Sequence, residues 1–206
     1  TVPGKLIMAL AVAMFLNRDI KGINLIRTLY YIPSLFGGSV AVALLWRLMF
    51  LDNGVMNAML TALHLPNIQF IGDTRYALKT ICALEIWQFG SSMVMFLAAL
   101  KQVPKSLYEA AQIDGATKWE RIRHIIIPSV SPTTFFLLIS SIITSLQNFT
   151  TIQALTGGGP GQATTVMSIN IIRTAFSNYQ TGYASAQALV MFLIVLVITL
   201  IQWRGE

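Results

Sequence analysis

Long apolar runs alternate with short polar ones along the whole chain. Residues 1–16, 28–50, 76–100, 129–152 and 184–203 form the apolar runs. Each approaches the length of about 20 residues that crosses a bilayer as a helix. The pattern predicts an all-α, polytopic membrane helix bundle with five spans visible. Pro33 and the Gly37-Gly38 pair interrupt the second run, a break tolerable only where neighbouring helices or a cavity satisfy the backbone. The sequence starts at Thr1, without Met and inside apolar sequence, so the first run reads as truncated, with an N-terminal span missing.

Composition agrees with a membrane class. The chain is 55% hydrophobic and 11% charged, with a mean hydropathy of +0.66, whereas soluble domains carry roughly 25% charged residues. Nine Met and eleven Phe suit lipid-facing helices. The net charge of +6 raises nucleic acid as a partner, but its distribution argues otherwise. Loop 17–27 holds Arg18, Lys21 and Arg27, and loop 101–128 holds Lys101, Lys105, Lys118, Arg121 and Arg123, with Arg204 in the tail. Loop 51–75 has only Arg75, and loop 153–183 only Arg173. Basic loops face the cytoplasm, and here they alternate with the non-basic ones. The charge is therefore topological, and no nucleic acid is implied. Residues 1–206 read as one transmembrane domain with a cytoplasmic loop at 104–128 and external loops at 51–75 and 153–183. The one cysteine, Cys82, gives neither a disulfide framework nor a CxxC metal site.

The cytoplasmic loop is written as structure. Ser106–Glu109 and Thr117–Glu120 both have the spacing of a helix capping box, in which hydroxyl and carboxylate satisfy free backbone N–H groups. Asp114-Gly115 between them is a turn signal. The expected arrangement is a helix over 106–113, a tight turn, and a second helix over 117–127 that Pro128 ends. Leu107, Trp119, Ile122 and Ile126 offer an apolar face, and small Ala110, Ala111 and Ala116 leave room for another surface. On these residues alone, Glu109 and Glu120 either cap helices or grip a partner.

The stretch EAAQIDGATKWERIRHIIIP over 109–128 resembles the EAA loop of permease subunits in binding-protein-dependent ABC importers. Glu109, Ala110, Ala111, Gly115 and Pro128 match its pattern. The triplet Asp114-Gly115-Ala116 and the Leu-Tyr before Glu109 resemble the branch that imports sugars, of the maltose type. Leu155-Thr-Gly-Gly-Gly-Pro160 with Ala163-Thr-Thr165, Arg27 to Pro33, Leu45-Trp46, and Gly54 with Asn57 are similar to that branch too. The resemblance implies a type I permease fold, and a loop that docks on an ATP-binding subunit through Glu109, Ala110, Ala111, Asp114, Gly115 and Ala116. It implies a second homologous permease, two ATP-binding subunits that hold the ATP and Mg, and an extracytoplasmic sugar-binding protein. It places the chain in a bacterial or archaeal cytoplasmic membrane, among lipid. No cofactor is implied in this chain.

The chain carries no motor of its own. Gly157–Gly161 lacks the Gly-Lys-Ser/Thr ending of a P-loop and falls on the external side. His64 and His124 fall on opposite sides and cannot share a metal.

Polar groups within spans are costly and tend to face a bundle interior or a wet path. Ser141, Thr144, Ser145 and Asn148 fall at i, i+3, i+4 and i+7, one stripe. Gln88 and Ser91 share a face on the preceding span, and Ser39 follows the Gly-Gly break. Hydroxyls and amides suit sugar hydroxyls, and Trp87, Phe89 and Phe149 could stack on a sugar ring. The other reading is interhelical glue. Glu85 pairs with Arg47 or Lys79, or gates the path. The alternatives are an importer for another polar solute, such as a glycerophosphodiester or polyamine, and an ion-coupled secondary transporter that would rely on Glu85.

Overall fold

The computed structural model describes residues 1–17 and 22–205, so Arg18 and Lys21 of the first basic loop lie outside the described residues. Among the described residues the regular elements are all helical. In chain order they are α1 (Val2–Leu16), α2 (Ile23–Leu35), α3 (Val40–Phe50), α4 (Val55–Ala62), α5 (Thr74–Trp87), α6 (Gly90–Gln102), α7 (Lys105–Ile113) and α8 (Lys118–Arg121). A π-helical turn, Ile122–Ile126, leads into α9 (Ile127–Leu146), followed by α10 (Thr150–Leu155) and α11 (Met167–Ile172). A second π turn, Arg173–Ser177, precedes α12 (Thr181–Gly205).

Among the described residues three stretches are long and apolar enough to cross a bilayer: Val40–Ala62, Lys118–Leu146 and Thr181–Gln202. A fourth is the pair Thr74–Trp87 and Gly90–Gln102, bent by 42°. Val2–Leu16 is a shorter apolar helix. The second expected span is corrected. Pro33 in the last turn of α2 and Gly38 at φ +74 cut it, and the crossing-length stretch begins at Val40 and runs past residue 50 through α4. Gly54 makes that continuation possible, because a Cβ there would lie 2.5 Å from Met49 O and 2.6 Å from Leu48 O.

The described residues form two compact units, residues 36–85 with 142–201, and residues 2–17 and 22–35 with 86–141 and 202–205. In the second unit α1 and α6 form the core. Leu6, Ala9, Ala13 and Leu16 recur along one face of α1 and are buried against Met93, Phe96, Leu97 and Leu100 of α6. Lipid tails are as apolar as leucine, so packing rather than exclusion from water holds such helices together, and small residues let the backbones approach. Ala9 and Ala13 supply that closeness. Gly90, the first residue of α6, does the same against α2. A Cβ there would lie 2.5 Å from Tyr30 O, 2.8 Å from Ser34 Oγ and 2.9 Å from Tyr31 Cα.

In the first unit Ile81 and Leu84 of α5 bury against Ile152, Leu155 and Ile169. The loop after α4 is stapled by Asn57, only 3% exposed, whose amide donates to Ile68 O at 2.9 Å and accepts from Ile68 N–H at 2.9 Å. Phe50 stacks on Trp46 and meets the edge of Phe70, with ring centroids 5.1 Å apart in each pair.

Gly90→Ala is expected to force α6 away from α2 and to cost about 1–3 kcal/mol, the usual range for overpacking a well-filled site. Thermal aggregation of the detergent-solubilised protein measures it; an unchanged midpoint would show that the contact yields freely.

Candidate functional site

The polar loop folds into two helices joined by an elbow, residues 114–117, whose backbone N–H groups are all hydrogen-bonded. Helix α6 ends at Gln102 because Val103, which precedes Pro104, is extended at ψ 121, the conformation favoured before proline. Helix α7 then starts at Lys105, directly after Pro104, with no side-chain cap. Ser106 is therefore already helical and the expected Ser106–Glu109 capping box does not form. Glu109 is left exposed.

The far end of α7 closes as a Schellman motif. Ala116 N–H donates to Ala111 O at 2.8 Å and Gly115 N–H to Gln112 O at 3.2 Å. Gly115 stands at φ +73, a conformation that glycine adopts without steric cost. Immediately beyond it, the Thr117–Glu120 box forms in full. Thr117 N–H donates to Glu120 Oε2 at 2.7 Å, the Thr117 hydroxyl donates to the same oxygen at 2.8 Å, and Glu120 N–H donates back to Thr117 Oγ1 at 3.3 Å. These bonds from the Thr117 backbone and then its hydroxyl, together with the charge of His124, hold the Glu120 carboxyl below the ordinary glutamate range. Burial pushes the Tyr108 phenol up.

Pro128 does not end the second helix. Lys118–Leu146 runs unbroken, because the π turn sits just ahead of the proline, with Ile127 N–H donating five residues back to Ile122 O. Such a wide turn accommodates a local irregularity inside an otherwise regular helix. The expected apolar face splits in consequence. Leu107 and Trp119 are exposed, whereas Ile122 is half-buried and Ile126 packs against the core of its own unit. Ile113 at 87% and Trp119 at 71% exposure are the most exposed large apolar side chains of the loop. Ala111, Asp114, Ala116, Glu120, Arg121, His124 and Ile125 line a cavity of about 250 Å³ beside the elbow.

The intramembrane candidates are placed unevenly. Helix α9 ends at Leu146, so the stripe at 141–148 is not one helical face. Ser141 is half-buried, Thr144 and Ser145 are exposed, and Asn148 lies past the helix end. Asn148 Nδ2 donates to Glu85 Oε1 at 2.7 Å, and Asn148 O accepts from Ser168 Oγ at 3.1 Å. Glu85 thus takes an amide partner rather than the expected cation. Arg47 Nη1 points to Ala154 O at 3.5 Å, and Lys79 stands over the Tyr76 ring, 5.2 Å from its centroid. Both Glu85 and Asn148 belong to the first unit, as does half-buried Ser39. Gln88, buried, and Ser91, exposed, belong to the second. There Trp87 and Phe89 share a cavity of about 430 Å³ with Tyr30, while Phe149 packs on the other unit's core.

The glycine-rich segment at 157–161 is tied by hydroxyls. Thr164 Oγ1 donates to Gly159 O at 2.8 Å and lies 2.8 Å from Thr156 Oγ1, Thr165 Oγ1 donates to Gly158 O at 3.0 Å, and Arg173 Nη2 to Gly157 O at 3.2 Å. Its carbonyls are engaged by the protein itself, unlike the open N–H cradle of a phosphate loop.

The family model for the binding-protein-dependent transport system inner membrane component matches residues 6–203. The chain belongs to this family. It is a permease subunit of an ABC importer and has the corresponding membrane-helix fold. It is 43% identical to the probable ABC transporter permease YesP of Bacillus subtilis over 98% of this chain and 67% of that one. It is 36% identical to the sulfoquinovosyl glycerol permease SmoG of Agrobacterium fabrum, over 99% and 67% of the two chains. It is 32% identical to the probable starch degradation products permease AmyD of Thermoanaerobacterium thermosulfurigenes, over 95% and 67%. A chain from the crystal structure of a bacterial alginate ABC transporter, in complex with a periplasmic protein bound to an alginate pentasaccharide, superposes with a TM-score of 0.84 at 27% identity. That match covers 96% of this chain and 70% of the other.

The depressed pKa of Glu120 has a definite sign. A carboxyl lowered in the folded state contributes stability that is present above its unfolded value and lost as pH falls through its folded value. Trp119 fluorescence, from the same turn, is therefore expected to hold steady from neutral pH to the ordinary glutamate value of 4.5 and to change only below it. A transition centred above that value would mean that the box does not hold the carboxylate.

Proposed function

We propose that this chain is the membrane subunit of an ATP-driven importer that moves a sugar or oligosaccharide inward. It works beside a second, homologous permease and two ATP-binding subunits that hold the ATP and Mg, with an extracytoplasmic sugar-binding protein delivering the cargo. It crosses the cytoplasmic membrane of a bacterium or archaeon several times, surrounded by lipid, and engages no nucleic acid. The observation that carries this reading is the elbowed loop, a hydrogen-bonded polar structure that displays exposed Ile113 and Trp119 together with exposed Glu109. Ile113 and Trp119, at 87% and 71% exposure, are apolar groups that a docked partner would remove from water. The family requires a partner for energy, and this loop supplies the place. Glu109, Ala110, Ala111, Asp114, Gly115 and Ala116 form the docking element, with Glu109 as its charged contact and Gly115 as its turn.

Sugar as the cargo class is supported by the relatives named for starch products and sulfoquinovosyl glycerol and by the alginate transporter. A relative named for sn-glycerol-3-phosphate, UgpA of Yersinia pestis, is 34% identical over 97% of this chain and 68% of its own, and keeps another polar solute as the second reading. Along the route, Ser39, Thr144, Ser145 and Asn148 act in the first unit, and Gln88, Ser91 and Ser141 in the second. They supply neutral donors and acceptors to hydroxyls that shed water.

Glu109→Lys is expected to leave the protein in the membrane and to uncouple ATP hydrolysis from uptake. Copurification of the ATPase subunit together with full uptake would sink the docking assignment. Ser145→Leu, which spares the Asn148–Glu85 bond, should alter uptake kinetics or selectivity with the complex assembled. Unchanged kinetics would return that side chain to helix packing.

A further inference from the structure

We infer that Thr117 and Glu120 are positioning residues for energy coupling. Their reciprocal cap makes the docking loop and the Lys118–Leu146 helix one rigid lever, so that displacement of α7 is delivered to the span without loss. The inference rests on the docking role given above to the loop, but concerns residues that need not touch the partner.

The joint between α7 and α8 comprises residues 114–117. A linker that short is stiff only if its backbone has no free torsions to relax. Each side of it is closed. Ala116 and Gly115 are bonded back to α7, and Thr117 is bonded forward to the first turn of α8 by its N–H and its hydroxyl. Glu120 completes the lock, since its carboxylate accepts both Thr117 donors while its own N–H is accepted by Thr117 Oγ1. Its carbonyl oxygen lies 3.1 Å from His124 Nδ1, one turn on. From there the helix proceeds to Leu146 without interruption. Were the cap absent, the N-terminal N–H groups of α8 would be free and the first turn would fray, and a frayed turn placed between input and output absorbs motion. Neither residue contributes an apolar anchor, and the carboxylate is committed within its own chain, so transmission rather than contact is the role that fits it.

The test is a distance measurement in the assembled transporter with its own partner subunits, in liposomes. Cys82 is replaced by Ala, and nitroxide labels are attached at Ser106→Cys and Phe136→Cys, both exposed positions outside the docking residues that lie on either side of the joint. Pulsed electron spin resonance is recorded without nucleotide and with ATP trapped by vanadate. With the cap intact the distance distribution is narrow and does not move when ATP binds. Thr117→Ala and Glu120→Ala should each broaden it and introduce a nucleotide-dependent shift, while Thr117→Ser and Glu120→Gln, which can still cap, should restore the narrow, immobile distribution. The double alanine variant should be no worse than either single, as befits two halves of one interaction. A populated frayed form about fivefold above the capped background is the size expected from loss of one cap. A narrow distribution in the alanine variants overturns the proposal, as does a nucleotide-dependent shift with the cap intact, or a Glu120→Gln variant as defective as Glu120→Ala. Glu109→Lys is assayed in parallel for retention of the ATPase subunit. Full retention and full activity there would refute the docking role itself, while the nucleotide-free distributions would still report on the joint.

Discussion

Backbone hydrogen bonding inside lipid is the constraint from which the other features follow. No water is present there to satisfy an N–H or C=O, so wherever a span leaves the helical path the protein must provide partners itself. The helical path is left at residues 36–39, 88–89 and 147–149, the second break lying within the bent crossing-length pair and the other two adjoining the end of a crossing-length helix. At the third break the last turn tightens, with Gln147 N–H on Ile143 O at 3.1 Å and Asn148 N–H on Ser145 O at 3.4 Å. Ser168 then caps Asn148 O, and the Asn148 side chain reaches Glu85. Each break carries one of the polar residues assigned to the route: Ser39, Gln88 and Asn148. Groups able to satisfy interrupted backbone are also groups able to satisfy a hydrated solute, so packing and passage are not opposed roles at such places.

Much of this architecture was legible in the sequence, and the failures have physical causes. Helix class, apolar runs and the structured loop follow from composition and periodicity. Thr117–Glu120 was readable because a capping box is local and nothing nearby competes with it. Ser106–Glu109 has the same spelling, but Val103-Pro104 starts the helix two residues too early for Ser106 to act as its cap. Pro33 and Gly38 announced the first break. The other two lie in Gln-Phe and Gln-Asn-Phe segments that contain no proline, and the apolar run continues across them. Gly90 follows the first of them, but its meaning depends on the Tyr30 and Tyr31 backbone against which it packs. The π turn ahead of Pro128 has no sequence signature of its own; the proline reads as a stop because a regular α-helix could not pass it.

The treatment of charge is consistent throughout. Only 11% of the residues are charged, and ions at membrane depth are expensive. Within the first unit, the polar fastening relies on neutral groups. Asn57 holds a loop through both its amide atoms, and Thr156, Thr164 and Thr165 hold the glycine segment. Even Glu85 is met by an amide, while Arg47 and Arg173 are turned to carbonyl oxygens. A neutral partner satisfies a carboxylate oxygen without introducing a second charge that would also need water.

The polar loop at 104–128 follows the opposite rule, and the contrast separates its two glutamates. Out in water a charge is cheap, so Glu120 can be used for local geometry, with its carboxylate accepting from Thr117 at two points. Glu109, on an uncapped helix two turns before the elbow, has no such duty and stands exposed. The pairing that made both residues look alike in sequence is thus resolved by the start of α7. One acid is consumed in holding the lever's shape, and the other is left available to whatever moves it.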